Sequence, residues 1–306
     1  MPRRSPADGA REVHWPPPVH PGARIGVAAL SGPVDPKRLA SGLEGLATLG
    51  FEPVLADNVG ARHGLFAGTD DERLEGFYRL CDREDVEAIL FARGGWGLMR
   101  LLPRLDWERL ARHPRAYVGY SDLTPFLDQV VQRLGLVAFH GPMVAADLAR
   151  RLDHDEKQSF LAALAGKRPL EIPVAATTAE HEIEGRLAGG CLSLVTSLLG
   201  TPWQVDFRDA VVVLEDVGEP AYRIDRMLTH LRLSGTLDGI RALILGHLTA
   251  GNRSRDEADW RSWHDELATL APMAWGLESG HRSPNLTLPL GARARLVPDR
   301  AALIIE

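Results

Sequence analysis

A parallel α/β domain followed by a smaller mixed α/β domain is what three features of the chain predict. Short apolar runs at 25–30, 86–92, 116–119 and 136–139 alternate with stretches of helical spacing, the mark of βαβ units and a parallel sheet. That rhythm breaks after about residue 150, where a polar helical stretch and an extended one intervene. The length of 306 residues also exceeds a single domain of roughly 150.

The elements follow in order. Residues 1–20 contain Pro16, Pro17 and Pro18 and are expected to form a disordered arm. The first domain is expected over 21–150. Its first strand, 25–30, is closed by Ser31-Gly32-Pro33, and Leu39, Leu43, Leu46 and Leu49 then give a helix over 35–49 that stops at Gly50. Residues 51–55 are strand-like, and Thr69-Asp70-Asp71-Glu72 is a capping box that opens a helix through Leu74, Phe77 and Leu80. The strand at 86–92 runs into Arg93-Gly94-Gly95-Trp96-Gly97, with helix expected from there to about His113. A strand at 116–119, a helix over 123–134 and a strand at 136–139 ending in His140-Gly141-Pro142 complete the domain.

Residues 151–182 are expected to be a connection, polar and helical to Lys167 and then extended. The second domain, 183–306, opens on a glycine-containing stretch at 185–190 and an apolar helix over 192–199. A strand at 211–214, an amphipathic helix over 222–233, a strand at 242–245, a helix near 256–270 and closing strands follow.

Composition narrows the chemistry. With 35 basic residues against 41 acidic ones, the net charge of −6 gives no support for a nucleic-acid or anionic-membrane surface. Three of the basic residues are lysines (Lys37, Lys157, Lys167), and none lies in a glycine-rich loop that could serve a nucleotide. Two cysteines, Cys81 and Cys191, cannot build a disulfide framework or a CxxC knuckle and read as buried thiols. The first residues carry no apolar stretch behind Arg3 and Arg4, and no run approaches the ~18 apolar residues of a membrane span. A soluble cytoplasmic protein is the expectation.

In open parallel sheets ligands gather at the carboxyl ends of the strands. Here those ends carry Ser31-Gly32-Pro33, the 94–97 stretch, Tyr120-Ser121-Asp122 and His140-Gly141-Pro142. In Gly119-Tyr120-Ser121-Asp122 a hydroxyl stands between strand and helix, with the following amide aimed at any oxyanion formed there; an N-cap serine is the plainer alternative. Leu123 stands where the second glycine of a G-x-S-x-G elbow belongs, which disfavours a lipase-like hydrolase. The 93–97 loop lets backbone N–H groups approach a ligand, or is simply a tight turn. Leu214-Glu215-Asp216-Val217-Gly218-Glu219 ends an apolar strand in three carboxylates, able to orient a histidine or to face a helix dipole. Among eleven histidines His281 stands out, because Gly280-His281 precedes the loop Arg282-Ser283-Pro284. His181-Glu182 lacks the second histidine of HExxH, so no zincin is expected.

Taken as an ordered set, these segments resemble the LD-carboxypeptidase family of serine peptidases, relatives of the microcin C self-immunity peptidases. The stretches that carry the resemblance are Phe66-Ala67-Gly68-Thr69-Asp70 with Glu72-Arg73, Arg93 to Gly97, Gly119 to Asp122, Gly141-Pro142-Met143 and Gly189-Gly190. Gly200-Thr201-Pro202-Trp203, Leu214-Glu215-Asp216, Arg223-Ile224-Asp225-Arg226-Met227-Leu228, Gly280-His281 and Leu288-Pro289-Leu290-Gly291 continue it. The resemblance implies a flavodoxin-like first domain bearing the nucleophile Ser121, with the acid Glu215 and the base His281 in the second. It also implies oxyanion donors in the backbone N–H groups of Gly95 and Asp122, and Arg93, Gly94 and Trp96 at the substrate. The implied reaction is hydrolysis, without metal or cofactor, of the bond before the terminal D-Ala of a peptidoglycan-derived tetrapeptide. The implied setting is cytoplasmic wall recycling by a homodimer; the alternative is a same-fold amidase acting on a peptidyl- or aminoacyl-nucleotide antibiotic. Cys191 stands where the family usually has Asn, Leu30 where it usually has Pro, and Trp96 where Tyr is frequent. A flavodoxin-type module that only binds a ligand is the non-enzymatic reading.

Overall fold

The computed structural model describes residues 12–249, 263 and 265–306. The first half runs β1 (Arg24–Ala28), α1 (Pro36–Thr48), β2 (Glu52–Leu55), α2 (Asp70–Cys81), β3 (Val86–Phe91), α3 (Trp107–Ala111), β4 (Ala116–Gly119), α4 (Thr124–Gln129) and β5 (Ala138–His140). Next come α5 (His154–Leu164), β6 (Leu170–Pro173), β7 (Ala176–Thr177), β8 (Ile183–Cys191), α6 (Leu192–Ser197), β9 (Ala210–Val217) and α7 (Ala221–Leu233). The strands β10 (Ala242–Thr249), β11 (Met273–Trp275), β12 (Leu288–Leu290), β13 (Arg293–Val297) and β14 (Ala302–Ile305) close the chain.

Local signals start the helices where the sequence puts them. Asp35 accepts from the Lys37 and Arg38 N–H groups ahead of Pro36, and Thr69 and Glu72 close both halves of their capping box. Ile25, Val27, Ile89, Leu90, Tyr117 and Val118 are all buried, because helices cover both faces of a parallel sheet and leave no polar side. In space the first sheet runs β12-β5-β4-β3-β1-β2. Its parallel part, read from β2, is the 2-1-3-4-5 order of flavodoxin-like folds, with the switch point between β1 and β3.

The second sheet runs β6-β14-β13-β8-β9-β10-β11-β7. Its centre, β8 to β11, is parallel and its flanks are antiparallel. The Val174 N–H donates to the Ala301 carbonyl and the Ala175 N–H to the Trp275 carbonyl, at 2.9 and 2.8 Å. Two residues thus carry the chain from one edge strand to the other, and the sheet curls round on itself.

Several expectations are revised. Residues 1–11 lie outside the described residues, but 12–20, expected in the disordered arm, are extended and docked. His14 bridges Leu136, the Trp15 ring packs 5.9 Å from Phe139, and Val19 is buried. That bridge also uses up the start of the expected strand at 136–139, so β5 begins at Ala138. The expected helix up to His113 is two short 3-10 turns and then α3; Pro103 sits in the second turn and Asp106 restarts the chain as a cap on the Arg109 N–H. The extended part of the 151–182 connection supplies β6 and β7, because Leu170 and Ile172 alternate inward against exposed Glu171 and Pro173. Most of the helix expected near 256–270 lies outside the described residues. Finally, β12 leaves the second half to pair antiparallel with β5, Leu288 opposite His140.

Candidate active site

β4 ends at Gly119, and Ser121 follows at φ 62°, left-handed backbone for a residue with a side chain. Such a conformation costs about 1–3 kcal/mol and persists only where the surroundings enforce it. The plainer reading of Ser121 as a helix cap does not hold: neither the 3-10 turn at Ser121–Leu123 nor α4 has a side-chain cap. Its hydroxyl makes no hydrogen bond among the described residues. What enforces the turn is the loop after β3. A methyl group at position 94 would stand 2.9 Å from the Ser121 Cβ and 3.4 Å from the Asp122 nitrogen, so only glycine lets the two loops approach. The Gly32 N–H donates to the Gly94 carbonyl at 3.2 Å, joining the β1 loop at the switch point.

Asp122 turns inward. Its Oδ2 accepts from the Leu98 N–H at 3.0 Å, tying the Ser121 turn to the far end of the glycine loop. Burial pushes its carboxyl up against the pull of that bond. Gly95 sits at φ 113° in the same loop. Arg93 is committed to backbone: its guanidinium donates to the Gly94 and Pro33 carbonyls, each at 3.2 Å, rather than to an acid. Trp96 is 53% exposed beside it, an aromatic face open to a ligand.

The second half brings an acid and an imidazole together. Along β9 successive side chains oppose one another, so Glu215 and Asp216 point apart. Asp216 accepts from the Ser193 and Val217 N–H groups at 2.7 and 2.8 Å, at the start of α6. Glu215, 1% exposed, accepts through Oε2 from the His281 ring at Nδ1, 2.7 Å, and from the His281 N–H, 3.1 Å. A methyl group at position 280 would stand 2.2 Å from that oxygen, and Gly280 has φ 99°. A carboxylate acceptor assigns the ring proton to Nδ1 and leaves Nε2 as the basic nitrogen. Burial works to lower the His281 pKa, but the hydrogen bond and charge of Glu215, with Asp216 and Asp147 behind it, hold it above the ordinary value. Glu219 pairs instead with Arg223 at 3.4 Å, one turn along the chain.

Tyr120 joins the halves. Adjacent in sequence to Ser121, it lies edge-to-face on His281 with ring centres 5.0 Å apart. The His281 loop has a further anchor that sequence reasoning missed. Glu156, fully buried on α5, accepts from the Asn285 N–H at 2.7 Å and is paired by Arg150, while Asn285 accepts from the Gly280 N–H at 2.7 Å. Glu156 also closes a capping box with Asp153, the one trace it leaves in the sequence. Cys191 is a buried thiol, pushed well up by that burial, with its sulfur 3.4 Å from the Ser193 hydroxyl. No helix among the described residues is long and apolar enough to cross a membrane, and none of their His, Cys, Asp and Glu side chains cluster as a metal site would need.

Comparison with known proteins finds matches for both halves of the chain. Residues 25–141 match the LD-carboxypeptidase N-terminal domain and residues 184–296 the LD-carboxypeptidase C-terminal domain. The murein tetrapeptide carboxypeptidase of Pseudomonas aeruginosa is 33% identical over 289 residues, covering 90% of this chain and 94% of its own. A muramoyltetrapeptide carboxypeptidase structure from Oxalobacter formigenes superposes with a TM-score of 0.83 at 30% identity, covering 92% of this chain and 98% of its own. The microcin C7 self-immunity protein MccF of Escherichia coli is 26% identical over 318 residues, 93% of this chain and 95% of that one. A structure of MccF in complex with glutamyl sulfamoyl guanosine has a TM-score of 0.85 at 25% identity, over 95% of this chain and 97% of that one.

Proposed function

From a chain that belongs to the LD-carboxypeptidase family, we propose a serine carboxypeptidase that removes the terminal D-Ala from a peptidoglycan-derived tetrapeptide by cutting the amide after the L-centre of the diamino acid. The observation that carries this reading is the Glu215–His281 pair, on whose imidazole rests the ring of Tyr120, the residue before a serine held in left-handed backbone. Ser121 Oγ attacks the amide carbonyl while His281 Nε2 takes its proton, and Glu215 holds the ring and balances the imidazolium. The oxyanion is received by the backbone N–H groups of Gly95 and Asp122. Collapse expels the amine of D-Ala, which takes the proton from His281, and water then releases the acyl group from Ser121 by the same route reversed. Arg93 stiffens the oxyanion loop, Gly94 admits the turn, and Trp96 offers the substrate an apolar face. We place the enzyme in the cytoplasm as a homodimer, where recycled wall peptides are the supply.

Mass spectrometry of a murein tetrapeptide digest tests the proposal: loss of a single alanine is expected, with an amidated or L-Ala-terminated peptide turned over poorly. Equal turnover of D- and L-terminated peptides rejects the stereochemical claim and leaves the hydrolase. The likeness to MccF supports a second reading, an amidase acting on an aminoacyl-nucleotide antibiotic. Cleavage of an aminoacyl sulfamoyl nucleoside with no loss of alanine from the tetrapeptide would replace the first reading by the second.

A further inference from the structure

Building on the Ser121–His281–Glu215 reading, we propose that His140 is a positioning residue, a neutral imidazole whose Nε2–H restrains the second oxygen of the Glu215 carboxylate. The carboxylate is then gripped between two histidines, one from each half of the chain.

His140 ends β5 at 1% exposure. Neither of its ring nitrogens has a hydrogen-bond partner among the described residues, and neither has Glu215 Oε1. These orphans face one another, with His140 Nε2 3.9 Å from Glu215 Oε1. That is about 1 Å beyond a hydrogen bond, a gap that a small side-chain rotation closes. Buried polar atoms are nearly always paired, and a buried carboxylate oxygen is costly to leave without a donor. The terminal torsion of a glutamate is broad and roughly two-fold, so the bond from His281 to Oε2 does not by itself fix the carboxylate plane. A donor on Oε1 does.

The pocket is built for an uncharged ring. Glu215 and His281 are the ionisable groups of the second half that act on it, and Tyr120 lies on it from the first, with ring centres 5.8 Å apart. Burial pushes the Tyr120 phenol well up, so that group is neutral. On the remaining side Gly190 leaves room: a methyl group there would stand 3.4 Å from His140 Nδ1 and 2.8 Å from the Thr124 methyl. Burial, with the His281 charge acting in the same sense, brings the His140 pKa down to about 4 against the opposing pull of Glu215. A neutral donor aligns the carboxylate without drawing its charge away from His281 as a second cation would.

Nitrogen-15 spectra of the full-length enzyme, with histidine labelled, test the idea without any substitution. A His140 ring neutral at pH 7 and protonated on Nε2 is expected; a cation, or the Nδ1–H tautomer, overturns the proposal. Two variants give the functional arm on the murein tetrapeptide. His140→Phe, which fills the space but has no donor, should lower kcat roughly 10-fold or more with KM within about twofold, and should shift the acid limb of kcat/KM. His140→Gln, which restores a donor, should recover most of the loss. If both variants lose thermal stability alike while kcat and the pH profile stay at wild type, His140 is packing only and the proposal falls. Should His140→Phe fail to fold, the ring tautomer decides. Retained turnover in Ser121→Ala and Glu215→Gln would instead overturn the triad on which the proposal rests, and the proposal with it; loss in those two beside a wild-type His140→Phe rejects the His140 role alone.

Discussion

A single oxygen of Glu215 accepts two hydrogen bonds from His281, one from the ring and one from the backbone N–H of the same residue. The acid therefore fixes both the imidazole and the loop that carries it. Glu215→Gln should lower kcat by roughly 10²–10⁴ with a much smaller change in KM, because binding and the oxyanion donors remain. Asp216→Asn, whose parent side chain serves the α6 N-terminus, should cost about 1 kcal/mol of stability and little turnover. Steady-state kinetics beside thermal melts check both; the reverse pattern would reassign the acid.

The pH dependence follows from the raised pKa of His281. The base works only when unprotonated, so kcat/KM rises with pH, and its acid limb should fall above the ordinary histidine value of about 6.5. Removing the carboxylate in Glu215→Gln takes away what holds the pKa up, so the limb should move to lower pH even as the plateau drops. Rate profiles of the two enzymes from pH 5 to 9 check the direction.

Gly94→Ala places a methyl group against Ser121 and the Asp122 amide. The loop must retreat, and displacement of the reacting groups by about 1 Å costs on the order of 10²-fold. Loss of kcat/KM on that scale with an unchanged circular dichroism spectrum is expected.

Glu156→Gln should destabilise by about 3 kcal/mol, since Arg150 loses its charge partner and the Asn285 amide its carboxylate acceptor. Burial works to raise the Glu156 pKa, but Arg150 and the hydrogen bonds outweigh it and the group lies below its ordinary value. A carboxylate lowered in this way stabilises the fold fully above its unfolded value of about 4.3, and the contribution fades as pH falls through the folded one. The gap between wild type and variant in urea melts should therefore be full at pH 7 and close progressively below pH 4.

Turnover should be indifferent to EDTA, since serine, histidine and glutamate complete the proposed chemistry by themselves. Loss of activity in chelator, restored by zinc, would remove the serine mechanism.

Strand periodicity and caps carried the part of this fold that was readable beforehand. That Glu215 and Asp216 cannot both face one imidazole follows from side-chain alternation, the choice of Glu215 rests on the family resemblance, and the Thr69 box needs nothing beyond local chemistry. Ser121 was legible as an exposed hydroxyl but not as left-handed backbone, because a non-glycine residue advertises no such preference. His140 was legible as a strand-end residue, but its pairing with Glu215, like that of Glu156 with Asn285, was hidden for a common reason: the partners lie 75 and 129 residues away, and no local pattern records such a distance. The three residues of β12 are too few to show a register, so their place beside β5 was hidden as well.

That small strand has a mechanical consequence. Leu288 pairs into the ladder of the sheet that delivers Ser121, only seven residues past His281. Swinging the two halves apart at this point would have to unzip that backbone pairing. The strand is thus a tether, fastening the loop of His281 to the sheet from which Ser121 emerges.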